Sequence, residues 1–432
     1  DFYNGSQSTG TGLPLLIASL QAKNSTLSNF NSVMINNPIG SDPITVRDSI
    51  LIFKGKLSSS NRNLNLKGNF ILANNGQFVP LNNTVEMSGS SHTVLLGNQN
   101  GLSFYNLRVT GGDILLAPYH GSTTFTPLQD SLQVYVNNRL TFNSPSRIIT
   151  RTYDRELVIR SGGSVVQNQT GFVDGTLQKP VAAGTGSTFF EIGNGLVYTP
   201  ARIEFTSGSG TFGSVEATNY SPVPNELFLG NRMDPVEKID RWWRLEPQDG
   251  FTLGNRKPNV RLQFPYSDFA SLGGEQHIDR TIIRRESIPI ENPLYSERKY
   301  VQLSWNVNGD GVQQSPTEDS VRVEIASGHS LWDGLGDFFI GKKYQRTFYS
   351  RQSGNWSNNN TWSFISHTGT VAEGGEFPNM DPLEIEDDVR VGGTTNHVVT
   401  MQPATSATIS CLDIYGNAKL DMNGATITSS TS

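Results

Sequence analysis

The sequence predicts an all-β protein in which parallel β-helix (solenoid) segments flank an antiparallel β-sandwich. The chain has 432 residues, including 43 Gly and 21 Pro, and is rich in Ser, Thr and Asn. Apolar residues occur in short β-rich runs bounded by these turn-forming residues, which is the pattern of strands. No window of about 11 to 18 residues keeps a helical period, apart from a weak stretch at Leu13–Leu20.

Residues 1–170 are predicted to form the first solenoid. Their strands are very short, as at Leu64–Leu66 and Thr84–Met87. Asn and Gly lie at the corners, where stacked coils need residues that tolerate tight or left-handed turns. One coil cannot bury its inner face alone, so stacked neighbours must supply the core. A β-sandwich remains the alternative for this segment.

Residues 171–345 are predicted to form the antiparallel sandwich, because their strands are longer and carry aromatic residues. In runs such as Ala201–Phe205 the apolar and charged residues alternate, as half-buried antiparallel strands require. The short-strand pattern returns in residues 346–432, which are predicted to start a second solenoid. Trp356 and Trp362 are expected to cap that solenoid and to shield its apolar interior.

Composition excludes several classes of function. The formal net charge is −6 and there is no basic stripe, so nucleic-acid binding is not expected. No apolar stretch approaches the roughly 20 residues that span a bilayer. The single cysteine, Cys411, excludes a disulfide framework and a Cys-ligated zinc site, and its apolar neighbours predict a buried thiol. The first residues do not form a signal peptide, so the chain is expected to be a processed product or part of a longer protein.

Several motifs resemble those of large, secreted Bacteroidetes surface proteins. The run Gly101–Gly112 is similar to their "FYNLTI" coils, and Phe172–Lys179 is similar to the segment that introduces their next module. Asp240–Leu245 is similar to their "NRYWRL" strand, and Gly354–Ser363 is similar to the opening of their repeats. The resemblance covers most of the chain in the usual module order, with expanded spacing at Phe377–Asp381.

The resemblance implies a non-enzymatic adhesin at the outer cell surface or in the extracellular medium. Its implied partners are the type IX export machinery and extracellular or cell-surface glycans or proteins. No catalytic residue or cofactor is implied. The same lineage attaches O-glycans to Asp-Ser/Thr-aliphatic tripeptides, so Ser49, Ser131 and Ser320 are candidate acceptors. An ordinary Asp-Ser turn before a strand explains each of these tripeptides equally well.

Two segments are candidate calcium sites. The densest acidic cluster comprises Glu384, Glu386, Asp387 and Asp388. It is a candidate calcium site or acid pair, and the alternative is a solvated edge whose charges discourage strand addition. The run Asn306–Gly311 matches the start of an EF-hand loop, but its twelfth position is Thr317 rather than Glu. A hairpin between Tyr300–Trp305 and Val321–Ile325 explains that run without calcium.

Other candidate chemistry is sparse. The six histidines are scattered, and none has metal-ligand spacing to another His or to Cys411. Trp242 and Trp243 are adjacent, so one is expected in the core and the other on the outside as a stacking platform for sugar or a neighbouring module.

The predicted function is that of a structural and adhesive stalk. Two alternatives remain open: a polysaccharide-binding or polysaccharide-degrading β-helix protein, and a subunit of an extracellular fibre.

Overall fold

A computed structural model of the chain describes most of the sequence. The described residues are 7–8, 16–23, 32–34, 43–53, 56–58, 62–73, 76–97, 101–118, 133–181, 184–205, 210–224, 233–254, 258–265, 267–268, 280–285, 300–304, 311–314, 320–325, 335–343, 347–372, 377–378, 387–393, 396–409 and 411–429. This part of the chain is all-β with almost no helix, and it contains a parallel solenoid of about 11 turns. Its helical elements include the 3₁₀ turns Arg151–Tyr153 and Asn359–Thr361.

The strands divide into three groups along the chain. The first group comprises Gln7–Ser8, Leu16–Lys23, Ser32–Met34, Ile44–Phe53, Lys56–Ser58, Leu64–Leu66, Asn69–Ala73, Gln77–Val79, Thr84–Met87, His92–Gly97, Leu102–Val109, Ile114–Pro118, Gln133–Phe142, Arg147–Ile149, Glu156–Ile159, Ser164–Gln167 and Phe172–Asp174. The second comprises Thr176–Val181, Gly186–Phe190, Ile192–Asn194, Val197–Tyr198, Ala201–Phe205, Gly213–Tyr220, Met233–Gln248, Asn259–Pro265, Arg280–Arg285, Tyr300–Ser304, Gly311–Gln314, Ser320–Ile325 and Gly336–Lys343. The third comprises Thr347–Ser350, Gly354–Asn355, Trp362–Ser363, Asp388–Val391, Val398–Thr400, Ser406–Ile409, Cys411–Ile414, Lys419–Asp421 and Thr426–Ser429.

The first group stacks as parallel coils, which confirms the predicted solenoid. Ile44 pairs with Leu64, Leu64 with Val85, and Val85 with Leu107, so successive coils return after 20, 21 and 22 residues. All four side chains are buried, at no more than 3% exposure. Each apolar residue therefore stacks on an apolar residue of the next coil, which buries an inner face that one coil could not bury alone.

The weak helical stretch predicted at Leu13–Leu20 is wrong. Residues Leu16–Lys23 form a strand that pairs in parallel with Ile44–Phe53. An isolated helix of this length is marginal in water, whereas the strand completes its backbone hydrogen bonds on the neighbouring coil. Tertiary pairing therefore overrides the local pattern.

Strand direction changes at Thr176–Val181. This strand pairs in parallel with Glu156–Ile159 and antiparallel with Gly213–Tyr220, which in turn pairs with Met233–Gln248. A second antiparallel array runs in the order Gly186–Phe190, Ala201–Phe205, Asn259–Pro265, Ser320–Ile325 and Gly311–Gln314. Residues 171–345 thus contain antiparallel strands, and their packing as a sandwich stays a prediction.

The predicted hairpin between Tyr300–Trp305 and Val321–Ile325 is wrong. Tyr300–Ser304 pairs instead with Arg280–Arg285, and Ser320–Ile325 pairs with Gly311–Gln314. The strand Gly311–Gln314 thus takes the place that the prediction gave to Tyr300–Trp305, and it lies closer in sequence to Ser320–Ile325.

The chain divides into two compact units. The first comprises Asp1–Ser221, Trp242–Tyr266 and Gly311–Asp337, and the second comprises Pro222–Arg241, Ser267–Asp310 and Phe338–Ser432. The boundaries 1–170, 171–345 and 346–432 drawn from the sequence stay predictions.

The third group of strands forms parallel coils within the second unit. Phe348 pairs with Val389, and Val389 with Leu412. Trp356 and Trp362 lie in the core of these coils, at 2% and 0% exposure, with ring centroids 5.3 Å apart. Their indole N–H groups donate to the carbonyl oxygens of Pro378 and Trp356, so burial leaves neither donor unsatisfied.

Candidate functional site

A polar groove lies on one face of the solenoid in the first unit. Three neighbouring strands, Thr84–Met87, Leu102–Val109 and Gln133–Phe142, pair in parallel, and Ser164–Gln167 adds a fourth. Their inward residues are apolar, and the alternation places polar residues outside. The groove has a volume of about 300 Å³. Its lining residues are Thr84, Asn106, Leu107, Arg108, Asn138, Arg139, Thr141, Asn143, Val166 and Asn168.

Side-chain amides from different coils are hydrogen-bonded along this groove. The Asn138 Nδ2 donates to Asn106 Oδ1 at 2.7 Å, and the Asn106 Nδ2 approaches Thr84 Oγ1 at 3.3 Å. A second pair joins Asn168 Nδ2 to Asn143 Oδ1 at 2.7 Å. These contacts hold the amides in place, while each amide keeps further donor and acceptor capacity for a ligand.

A bulge positions the asparagines. The parallel register between Leu102–Val109 and Gln133–Phe142 shifts between Phe104 and Asn106, after which Asn106 pairs with Arg139. The extra residue on the second strand re-aims its neighbours, as bulges do. Asn138 therefore contacts Asn106, although the two residues lie 32 positions apart in sequence.

The charged residues of the groove are arginines. The Arg108 Nη1 lies 3.6 Å from Glu86 Oε2 on the adjacent strand, and Glu86 also accepts a hydrogen bond from the Thr110 hydroxyl at 2.9 Å. Arg139 is exposed and forms no ion pair with any residue that the structure describes. Among the described residues, two guanidinium groups and no carboxylate line the groove itself.

The motif Phe172–Lys179 contributes Asp174 to a buried network of ion pairs. The Asp174 side chain is 6% exposed and lies 3.4 Å from Arg147 Nη1 and 3.1 Å from Arg151 Nε. It also accepts a hydrogen bond from the Gly195 backbone N–H at 3.0 Å. Arg147 is further bound to Asp113, at 2.5 Å. The network joins the last parallel coil to the hairpin that follows it.

Two other residues of the same motif are fixed by packing. Gly175 has φ +124°, and a Cβ there would lie 2.2 Å from Thr150 Oγ1, so glycine is required. Lys179 Nζ lies 3.0 Å from Glu191 Oε2 in a buried ion pair. Burial raises the pKa of Glu191, and Lys179 opposes that rise.

A row of carboxylates crosses the sheet where its strand direction changes. Glu216 pairs in register with Gln178 on one side and with Glu246 on the other. Burial, followed by the charges of Glu156 and Glu246, raises the pKa of Glu216 to about 7, and Arg244 opposes the rise. Gln248 Nε2 donates to Glu216 Oε2 at 3.3 Å.

The predicted exposed platform at Trp242 or Trp243 is wrong. Trp243 is fully buried, and its Nε1 donates to the Thr199 carbonyl at 3.0 Å. Trp242 is only 7% exposed, and it stacks on Tyr220 with ring centroids 4.3 Å apart. The Arg244 guanidinium lies 5.3 Å from the Trp242 ring centroid. The neighbours of Trp242 occupy the ring surface that a sugar would need.

The three candidate O-glycan acceptors lie in different settings. Ser49 is half-buried within the strand Ile44–Phe53, beside the exposed Asp48. Ser320 opens the strand Ser320–Ile325 and pairs with Pro265. Ser131 lies outside the described residues. Glycosylation at these three positions stays a prediction.

The candidate calcium segments are described only in part. Glu384, Glu386 and the run 306–310 lie outside the described residues. Asp387 is buried, at 2% exposure, and Asp388 opens the strand Asp388–Val391. Within the described part of the chain, no group of three or more His, Cys, Asp or Glu side chains is placed to hold a metal ion.

The expected burial of Cys411 is wrong. Cys411 is exposed, and it opens the strand Cys411–Ile414. Of the histidines, His92 is a packing residue: its Nδ1 lies 2.7 Å from the Gly68 carbonyl and its Nε2 accepts the Gly89 N–H at 2.9 Å. His397 is buried beside Ser350, and burial lowers its pKa.

Comparison with known proteins adds no family: no protein-family model, curated protein or solved structure matches the chain. Among the described residues, no helix has both the length and the apolar character needed to cross a bilayer.

The groove was not identified from the sequence, although a signal for it is present. Asn63, Thr84 and Asn106 recur after 21 and 22 residues, which is the coil length that the apolar positions also follow. Aligning the short strands at that period would have placed these polar residues in one column. The contributions of Asn138 and Arg139 depend on the bulge, which no local pattern indicates.

Proposed function

We propose that this protein is a non-enzymatic structural and adhesive protein, located at the cell surface or secreted, whose solenoid binds sugar chains at a surface. The observation that carries the proposal is the polar groove, in which amides and guanidiniums from successive coils line one cavity. In this proposal the antiparallel strands of residues 171–345 pack as a sandwich between two solenoid segments.

The groove has the chemistry that sugar hydroxyls require. Amides, hydroxyls and guanidiniums offer donors and acceptors at positions held by hydrogen bonds between coils. Neighbouring strands lie about 4.8 Å apart, so four strands present polar groups at regular intervals along about 14 Å. An extended chain of a few sugar rings fits such a row.

A glycan array probed with the full chain tests this function. The expected result is binding to a subset of glycans, with loss of signal in Asn106→Ala combined with Asn138→Ala. The matched control is Asn65→Ala, since Asn65 faces outward on Leu64–Leu66 but does not line the groove. Absence of binding to every glycan would contradict the proposal.

The carboxylate row supports a second candidate, polysaccharide degradation. Glycoside hydrolysis uses one carboxyl group with a raised pKa as general acid and a second carboxylate nearby, and Glu216 beside Glu156 and Glu246 has these features. A turnover assay on polysaccharides, measuring new reducing ends, separates the two functions. Turnover that disappears in Glu216→Gln would replace the adhesive function with the enzymatic one.

A further inference from the structure

We propose that the groove is selective for sugar chains that carry carboxylate groups, with Arg139 as the residue that binds the carboxylate. This inference rests on the proposed function, because it names the ligand class of the same groove. Uronic-acid sugars combine the hydroxyls that amides bind with the anion that a guanidinium binds.

The charge of the groove differs in sign from that of the whole chain. The chain carries a formal net charge of −6, yet the described residues that line the groove include Arg108 and Arg139 and no Asp or Glu. The carboxylate nearest in the register is Glu86, which lies 3.6 Å from Arg108 and accepts a hydrogen bond from Thr110. The groove is therefore a positive site on a negative protein, and it attracts anions.

The two arginines of the groove differ in their ion pairing. The charge of Arg108 is offset by Glu86, whereas Arg139 is exposed and has no ion-pair partner among the described residues. A guanidinium presents a planar fork of N–H donors that matches a carboxylate in two parallel hydrogen bonds. Of the two arginines in the groove, Arg139 is thus the one whose guanidinium no described carboxylate offsets.

The strand register places Arg139 beside the amides of the groove. Arg139 pairs with Asn106 on the adjacent strand, and Thr141 pairs with Arg108. A carboxylate at Arg139 therefore places the attached sugar ring over the linked amides of Asn106 and Asn138, which are 2.7 Å apart. The amides recognise hydroxyls and the arginine recognises the acid, so one sugar residue uses both.

Binding measurements on paired oligosaccharides test the proposal. The probes are oligomers of galacturonate, glucuronate and mannuronate, each compared with its carboxyl-reduced, neutral counterpart, and affinity is measured by calorimetry with the full chain. At least one oligouronate is expected to bind about tenfold tighter than its neutral counterpart, and the preference is expected to fall as salt is raised.

The variant Arg139→Gln is expected to remove this preference, so that the charged oligomer and its neutral counterpart bind with equal affinity. The matched control is Arg47→Gln, because Arg47 is an exposed arginine of the strand Ile44–Phe53 that does not line the groove. An unchanged circular dichroism spectrum and melting temperature establish that both variants are folded.

The other outcomes distinguish the two levels of the argument. Equal affinity for charged and neutral oligomers, or a preference that survives in Arg139→Gln, would overturn the selectivity and leave glycan binding standing. Failure to bind any oligomer, together with an empty glycan array, would overturn both. Equally tight binding of polyglutamate would show that the groove binds acidic peptides rather than sugars, which also overturns the inference.

Discussion

The parallel coils before Phe172 differ from the strands that follow them in the first unit in whether charged side chains are buried. Among the described residues before Phe172, no Asp, Glu, Lys or Arg is buried. From that point on, Asp174, Lys179, Glu191 and Asp337 are all buried and ion-paired. The change coincides with the place where the sheet passes from parallel to antiparallel pairing.

The difference follows from what holds each region in place. In the coils, each strand stacks on a near-copy of itself, so apolar columns specify the register and the outer face is left free for ligands. At the change of direction, a strand no longer meets a copy of itself. Buried hydrogen-bonded charges then specify which strands meet, because any other pairing would leave a buried charge without a partner.

The largest expected effect is at the buried network. Asp174→Asn removes the carboxylate that Arg147 and Arg151 share, and we expect a loss of about 3 kcal/mol in the free energy of unfolding. Urea denaturation measures it. The control is Glu86→Gln on the coil face, where a partly exposed pair is worth about 0.5 kcal/mol. Equal losses of stability in the two variants would contradict the conclusion that buried ion pairs stabilise the region after Phe172 more than ion pairs stabilise the coil face.

An intermediate effect is expected in the pH dependence of stability. The folded pKa of Glu216 is about 7, above its ordinary value of 4.5. Between these values Glu216 keeps a proton in the folded chain that it releases in the unfolded chain, so its contribution to stability is greatest below about pH 4.5 and falls as the pH rises to about 7. Between pH 5 and pH 8 this contribution is expected to fall by about 2.5 kcal/mol.

Urea denaturation at pH 5 and pH 8 measures this dependence. Glu216→Gln is expected to show a smaller difference between the two pH values than the wild type, because its amide does not titrate, while Glu191, whose pKa burial also raises, keeps its own contribution. Glu86→Gln is the control and is expected to keep the wild-type difference. A Glu216→Gln variant with the full wild-type difference would place the titrating group elsewhere.

The smallest expected effect is on the coil face. Asn138→Ala removes a hydrogen bond of 2.7 Å to Asn106, with an expected loss of about 1 kcal/mol. The apolar columns beneath remain intact, so the solenoid keeps its register. Denaturation of Asn138→Ala beside Asn168→Ala checks that both ends of the groove behave alike. A loss as large as that of Asp174→Asn would mean that the amides, rather than the core, hold the coils together.

The strands of the coils could be predicted from the sequence, whereas the exposure of several side chains could not. Runs such as Leu64–Leu66 and Thr84–Met87 carry their own alternation, and the structure has these strands with the same bounds. Cys411 was misplaced because its apolar neighbours do not show that the side chain at the start of the strand Cys411–Ile414 is exposed. The exposure of Trp242 was misjudged because Tyr220, on the paired strand, and Arg244, on the same strand, cover its ring.

The sequence by itself predicted an all-β chain, because alternation within each short run decides which residues face inward, and for residues 1–170 it favoured stacked coils while leaving a sandwich open. Only the tertiary structure decided which polar residues meet. Asn106 reaches Asn138 across 32 residues, and Arg147 reaches Asp174 across 27. Such contacts depend on coil length, on bulges and on the change of strand direction, and these are properties of the whole stack rather than of any one segment.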